Sequence, residues 1–309
     1  MELQIQNILS QTTSKTLKIQ QLVLLGLSRK KIAELVTNGN YGFVQNVYAK
    51  MRLEGQLMSI TQAISPNIFN RKFGVEFEAY NVRMGTLKDA LKTAGINCEI
   101  EGYNHTTRQH WKIVTDASLT GEYTFELVSP ILKGESGINE LKTVCKVLNE
   151  CGAKVNKSCG THVHFDAFGF DIDTWKRIYI NYFRLENTID KFMPRSRREN
   201  RYCQSLKNIT NFESKINNCS NLDQIASIFR MNRYFKINPL SYSRHNTCEF
   251  RQHSGTVEFE KIGNWIKFLN ALVEFSKTNL VTDTTLDGLT ALCDNDLVNY
   301  YKQRTVKLI

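Results

Sequence analysis

Several absences narrow the field before any residue is given a role. No apolar run approaches the roughly 18 residues needed to cross a bilayer, so no membrane span is expected. The start, Met1-Glu2-Leu3-Gln4, is polar and lacks the apolar stretch of a signal peptide, which points to the cytoplasm. The eight cysteines include no Cys-x-x-Cys pair. Neither a zinc ribbon nor a thioredoxin motif is therefore suggested, and reduced thiols are expected. The phosphate-binding signature Gly-x-x-x-x-Gly-Lys-Ser/Thr is missing too, so no P-loop is present. Histidine is scarce, at six residues in 309, which gives weight to any place where histidines gather.

What is present fits a folded chain with a substantial core: 41% of residues are hydrophobic and 23% charged. The net charge of +10 is uneven. Residues 14–52 hold Lys15, Lys18, Arg29, Lys30, Lys31, Lys50 and Arg52 against one acid, Glu34, a local balance of +6. That asymmetry favours an anionic partner for this segment. Three short helices are expected in it. Ser14 can cap the first, which contains Leu17, Leu22 and Leu25, and Ser28 can cap the second, with Ile32, Leu35 and Val36 inward. After the turn Asn38-Gly39-Asn40, a third helix from about Tyr41 to Leu53 places Phe43, Val44, Val47 and Met51 on one face. The run from Gly26 to Leu35 resembles helix-turn-helix segments of recombinases and sigma-like regulators. That implies a third helix showing Tyr41, Gln45, Asn46 and Lys50 to a major groove. A small module for docking another protein through residues 14–53 is the alternative. The expected organisation is a helical module at 1–60, a linker at 61–70 around Ser65-Pro66-Asn67, and a catalytic domain at 71–309.

Strand side chains alternate between faces, so residues two apart project together. In Gly74-Val75-Glu76-Phe77-Glu78, Val75 and Phe77 enter one side while Glu76 and Glu78 leave from the other. Tyr123, Phe125 and Leu127 alternate with Thr124, Glu126 and Val128. In Gly160-Thr161-His162-Val163-His164-Phe165-Asp166 both histidines share a face with Asp166, and in the strand from Cys248 to His253 the residues Glu249, Arg251 and His253 share one. Each strand alone could be half-exposed and structural. Together they offer an apolar face for a core and a second face of metal-ligand and phosphate-binding groups. Carboxylates with an imidazole suit Mg²⁺ or Mn²⁺, and an arginine fork suits a transferring phosphoryl group.

These stretches resemble the amidoligases, relatives of glutamine synthetase and glutamate–cysteine ligase. The match is carried, in order, by Gly74-Val75-Glu76-Phe77-Glu78, Asp116-Ala117-Ser118-Leu119, Phe125 to Pro130, Cys159 to Asp166, and Glu249 to Thr256. The resemblance implies an α+β fold with a curved antiparallel sheet, helices behind it and the active site in the concave face. It implies metal ligation by Glu76, Glu78, Glu126 and Glu249, with His162 or His164 at metal or nucleotide phosphate and Arg251 at the γ-phosphate. It also implies ATP with Mg²⁺ or Mn²⁺, and activation of a small-molecule or peptide carboxylate as an acyl phosphate for attack by an amine. The basic loop Pro194 to Tyr202 resembles the family's phosphate or carboxylate loop, and Arg195 and Arg201 are its expected ligands. Asp116 could orient the amine or serve only as turn chemistry. His105 and His110 take no role. A divalent-metal-dependent hydrolase, or a nucleic-acid-binding regulator whose ligase-like domain senses a ligand, are the alternatives.

Overall fold

The computed structural model describes residues 2–25, 27–53 and 71–308. The chain divides into two compact units, residues 1–67 and 68–309. The expected linker at 61–70, and residues 54–60 of the expected module, lie outside the described residues.

The first unit holds α1 (Glu2–Ser10), α2 (Lys15–Leu24), α3 (Arg29–Val36) and α4 (Tyr41–Leu53). Both expected caps form: Ser14 Oγ accepts from Leu17 N and Ser28 Oγ from Lys31 N, each at 3.2 Å. The turn between α3 and α4 uses the left-handed region at Asn38 and Gly39, with φ of 50° and 87°. Ile19, Leu22 and Val23 of α2 meet Ile32 and Ala33 of α3 and Val44, Val47 and Met51 of α4. Phe43, expected on the face of Val44, Val47 and Met51, is exposed instead, as is Leu17. The buried stripes run 19-22-23 and 44-47-51, and a residue two before or one before a stripe lies off it at helical pitch. Gln45, expected on the exposed face, is half-buried and accepts from Arg29 Nη1 at 2.7 Å. The helix α1 was not foreseen; its Ile5, Ile8 and Leu9 pack on the same small core.

The second unit is α+β. In chain order it comprises β1 (Lys72–Ala79), α5 (Met84–Thr93), β2 (Cys98–Ile100), β3 (Trp111–Val114), β4 (Phe125–Val128), β5 (Leu132–Lys133), α6 (Gly134–Glu150), β6 (Gly160–Asp166) and α7 (Ile172–Lys191). It continues with α8 (Arg195–Arg198), α9 (Phe212–Asn217), α10 (Leu222–Ile228), β7 (Ile237–Asn238), α11 (Ser241–His245), β8 (Thr247–Ser254), α12 (Phe259–Ser276) and α13 (Asn295–Lys307). The strand order is β2-β3-β4-β1-β6-β8-β7, with β5 on the end of β1. All pairs are antiparallel except β2 with β3. The expected strand from Tyr123 begins only at Phe125, because Tyr123 takes a φ of 53°.

One face of the sheet is apolar as the alternation required. Phe73, Val75, Phe77, Phe125, Leu127, Val163, Phe165 and Phe250 join the helix stripes Leu141, Val144 and Leu148 and Ile262, Trp265 and Leu269 in one core. Each of these side chains contributes on the order of 2 kcal/mol by leaving water. Burying that face obliges the other, polar one to line a concavity, and the strand order decides which polar groups meet there.

Candidate active site

The central strand β1 supplies the pivot. Its register sets Glu78 opposite Glu126 of β4 and Glu76 opposite His162 of β6. On the far side of β6, His164 pairs with Glu249 of β8, which in turn pairs with Asn238 of β7. Residues spread over more than 170 positions of sequence thus reach one floor, because neighbouring strands lie about 4.8 Å apart. Glu76, Glu78, Glu126, Asp116, His162, His164, Glu249 and Arg251 all line a single cavity of about 680 Å³.

The contacts are close. Glu76 Oε2 lies 2.9 Å from His162 Nδ1, and Glu76 Oε1 lies 3.2 Å from His164 Nε2. His162 Nε2 is 3.6 Å from Glu78 Oε1. Arg251 Nη1 donates to Glu249 Oε1 at 2.5 Å, and Asn238 Nδ2 donates to Glu249 Oε2 at 2.6 Å. Two buried nitrogens of the cavity lining have no hydrogen bond among the described residues: Arg251 Nε, and His164 Nε2, which is out of line with its carboxylate neighbour. A buried donor left unsatisfied costs about 1–3 kcal/mol, so these atoms mark a place built to meet something else.

The electrostatics divide the floor in two. Burial alone would raise the Glu76 carboxyl, yet the bond to His162 and the close approach and charge of both histidines hold it well below the usual range. Glu249 is likewise buried, but Arg251 and then His164 bring it down to about 2. Glu126 behaves oppositely. Burial, reinforced by Glu76, Glu78 and Asp116, pushes it well above the usual carboxylate range. A cation placed among these carboxylates would remove that repulsion.

The β6–β8 ladder carries a bulge. Thr161 pairs with His253 and Val163 with Phe250, so Arg251 and Gln252 together stand against His162 alone. The extra residue keeps Glu249 and Arg251 on the cavity side and turns His253 to the helices. His253 therefore does not share their face. Its ring lies 5.6 Å from that of Trp265, and burial with the charge of Arg304 brings its pKa to about 3.

Arg195 and Arg201 are exposed and do not line the cavity; Arg201 instead lies 4.6 Å over the Tyr202 ring. The short α8 turns Arg197 inward in their place. Its side chain donates to the backbone carbonyls of Gln252 and Arg251, bracing the bulge from behind. Gly160 makes room, since a Cβ there would sit 2.9 Å from Arg197 Nη2. Gly160→Ala is expected to displace this brace at a cost of about 1–3 kcal/mol; an unchanged thermal midpoint would count against the role given to Arg197.

Asp116 carries the turn chemistry expected of it and also faces the acidic floor. One oxygen accepts from Ser118 N at 2.7 Å, closing its own turn, while the carboxylate also groups with Glu78 and Glu126. Four groups were missed by reading local pattern alone. Asn238 sits on a two-residue strand that gives no periodic signal. His245, and the roleless His105 and His110, join His162 and His164 in the cavity lining, so five of the six histidines converge there. That scarcity was the available signal for the other three.

A family model described as "Putative amidoligase enzyme" matches residues 69–273. The chain belongs to this amidoligase family. The matched stretch of the amidoligase runs from just before β1 into α12 and includes every strand that reaches the cavity floor, while the helices α1–α4 lie outside it. No curated protein matches the chain. A crystal structure described as that of a "novel glutamine synthase homolog" aligns at 12% identity with a TM-score of 0.39, covering 83% of this chain and 67% of that one.

Amidoligase membership makes the protein ligase-like and suggests a divalent cation. The residues fit one. Three overlapping groups offer ligand atoms within 4.8 Å of one another: Glu76, His164 and Glu249; Glu76, Glu126 and His162; and Glu78, Asp116 and Glu126. Oxygen-rich sets with an imidazole suit Mg²⁺ or Mn²⁺ better than thiolate-seeking metals. Among the described residues no helix is long and apolar enough to cross a membrane.

Proposed function

We propose that this amidoligase is an ATP- and divalent-cation-dependent carboxylate–amine ligase acting through an acyl phosphate. One observation carries the reading: a single polar sheet face brings four glutamates, two histidines and an arginine with a free buried Nε to one cavity. Glu76, Glu78, Glu126, Glu249 and one or both histidines would hold Mg²⁺ or Mn²⁺, which when bound offsets the charge of ATP phosphates. Arg251, clamped by Glu249, meets the γ-phosphoryl group. An oxygen of the acid attacks that phosphorus, the bond to ADP breaks, and the acyl phosphate forms. The amine nitrogen then attacks the acyl carbon and phosphate leaves. Asp116, beside Glu78 and Glu126, draws the amine in as its ammonium form and takes up the proton it must lose.

Phosphate release from ATP should require both an acid and an amine. Release that ignores the amine would indicate a metal-dependent hydrolase, and no turnover with retained ATP binding would indicate a ligand sensor. The substrates are small-molecule or peptide acids and amines, and the cytoplasm is the proposed compartment, in keeping with eight unpaired thiols.

For the N-terminal helices we propose binding to duplex DNA. The support is the excess of lysine and arginine together with exposed Tyr41, Asn46 and Lys50 on α4. Affinity should fall steeply between about 50 and 200 mM salt and vanish when residues 1–60 are deleted. Binding that ignores salt would point to a protein-docking module.

A further inference from the structure

The cavity is acidic at its floor and basic at its mouth. Five arginines line it, and three have their charges or donors engaged. Arg108 pairs with Glu101 at 3.0 Å, Arg251 with Glu249, and Arg197 with two backbone carbonyls. Arg233 and Arg244 have no carboxylate partner among the described residues; Arg233 Nη2 makes only a long contact, 3.4 Å, to the Tyr234 hydroxyl, beside a bond to Tyr103. Lining a concavity with two unneutralised guanidinium groups raises its affinity for anions and is unfavourable unless an anion arrives.

The position of these two arginines follows from topology. Arg233 precedes β7 and Arg244 lies on α11, both at one edge of the sheet. The loop joining β2 to β3 comes from the opposite edge and brings Tyr103 and His105. The two edges meet over the polar face: Tyr103 bonds to Arg233, and the His105 ring lies 6.4 Å from that of His245. The His245 ring is in turn 5.9 Å from that of His164, which belongs to the carboxylate floor. Two imidazole steps therefore separate floor from mouth. Burial, then the charges of Arg244 and Arg233, keep His105 neutral to lower pH than usual.

We propose that Arg233 and Arg244, with Tyr103, His105 and His245, form a second anion subsite that holds a non-reacting carboxylate of the acid substrate. The substrate class is then a long dicarboxylate, such as a short acidic peptide, with one carboxylate at the floor and the other at the mouth. The two steps span up to about 12 Å, which at up to about 3.5 Å per extended residue takes three to four residues. A monocarboxylic acid would leave the mouth arginines unmatched. This inference rests on the carboxylate–amine ligase reading. The other source of an anion at the mouth is a nucleotide phosphate, and the two sources separate experimentally.

The test uses the full chain with Mg²⁺ and the β,γ-imido analogue of ATP. Dicarboxylates from suberate to dodecanedioate and monocarboxylates of equal length are titrated by ligand-observed NMR. Dicarboxylates should bind about tenfold or more tightly than their monocarboxylate counterparts, as expected for charged hydrogen bonds. Arg233→Met and Arg244→Met should each shrink that preference and the double variant erase it, with affinity for the ATP analogue within about twofold of the parent chain. Equal binding of both acid series, or a preference that survives in the double variant, overturns the subsite. Loss of analogue affinity in the variants assigns the arginines to phosphate and overturns it as well. If the unmodified chain does not bind the analogue at all, the ligase reading falls, and the subsite with it.

Discussion

Replacing Arg251 by alanine is expected to lower acid- and amine-dependent phosphate release by about a thousandfold or more, the scale on which arginines stabilise a transferring phosphoryl group. The argument is geometric. Glu249 holds Nη1 at 2.5 Å while Nε is buried without a partner. The fork is thus oriented by one carboxylate and left with donors to spend on a ligand. The charge alone does not suffice, so Arg251→Lys should recover only part of the loss. Removing the guanidinium also strips Glu249 of its principal counter-charge, although Asn238 still donates to it. Some loss of stability is therefore expected, and thermal midpoints measured with and without Mn²⁺ would separate it from the catalytic effect. Near-normal turnover in the alanine variant would remove Arg251 from the chemistry and the ligase reading with it.

The second large effect concerns Glu126, where function and stability should part. Burial and the charges of Glu76, Glu78 and Asp116 raise this carboxyl well above the usual range. A folded-state pKa above the unfolded value means that the folded chain binds the extra proton. Stability of the metal-free protein from this group is then full below the unfolded value and declines as pH rises towards the folded one. Glu126→Gln mimics the protonated form. Without metal it should be more stable than the parent at neutral pH and lose this part of the pH dependence. It should also weaken Mn²⁺ binding by at least about a hundredfold, since even outer-shell partners of metal ligands are worth ten- to hundredfold. In the parent chain, Mn²⁺ binding should release a proton, visible in calorimetry as a heat that varies with the buffer's ionisation enthalpy. Metal affinity unchanged in Glu126→Gln would exclude Glu126 as a ligand.

Local pattern was enough for the face each site residue occupies within its own strand, because alternation is a property of the backbone and needs no partner. Glu76 with Glu78, His162 with His164, and Glu249 with Arg251 could be paired in that way. The N-terminal caps followed for the same reason: Ser14 and Ser28 cap through contacts three residues away. Family motifs then ordered these pieces along the chain.

Tertiary structure decided which faces meet and where the pattern breaks. The bulge opposite His162 adds one residue to β8, and one residue is enough to turn His253 from the cavity to Trp265, since strand faces alternate with a period of two. In the basic loop Arg195, Arg197 and Arg201 look alike in composition, yet the single turn of α8 selects Arg197 and leaves the other two outside. Arg233, Arg244, His105 and His245 belong to segments with no periodic pattern, and only the order of strands brings the two edges of the sheet together above the floor. The sequence by itself determined the residue types and, up to the bulge in β8, the strand faces that carry them, because those depend on neighbours two residues away. The cavity, its unneutralised arginines and the raised carboxyl of Glu126 depend on groups far apart in the chain, and only strand pairing decides their distances.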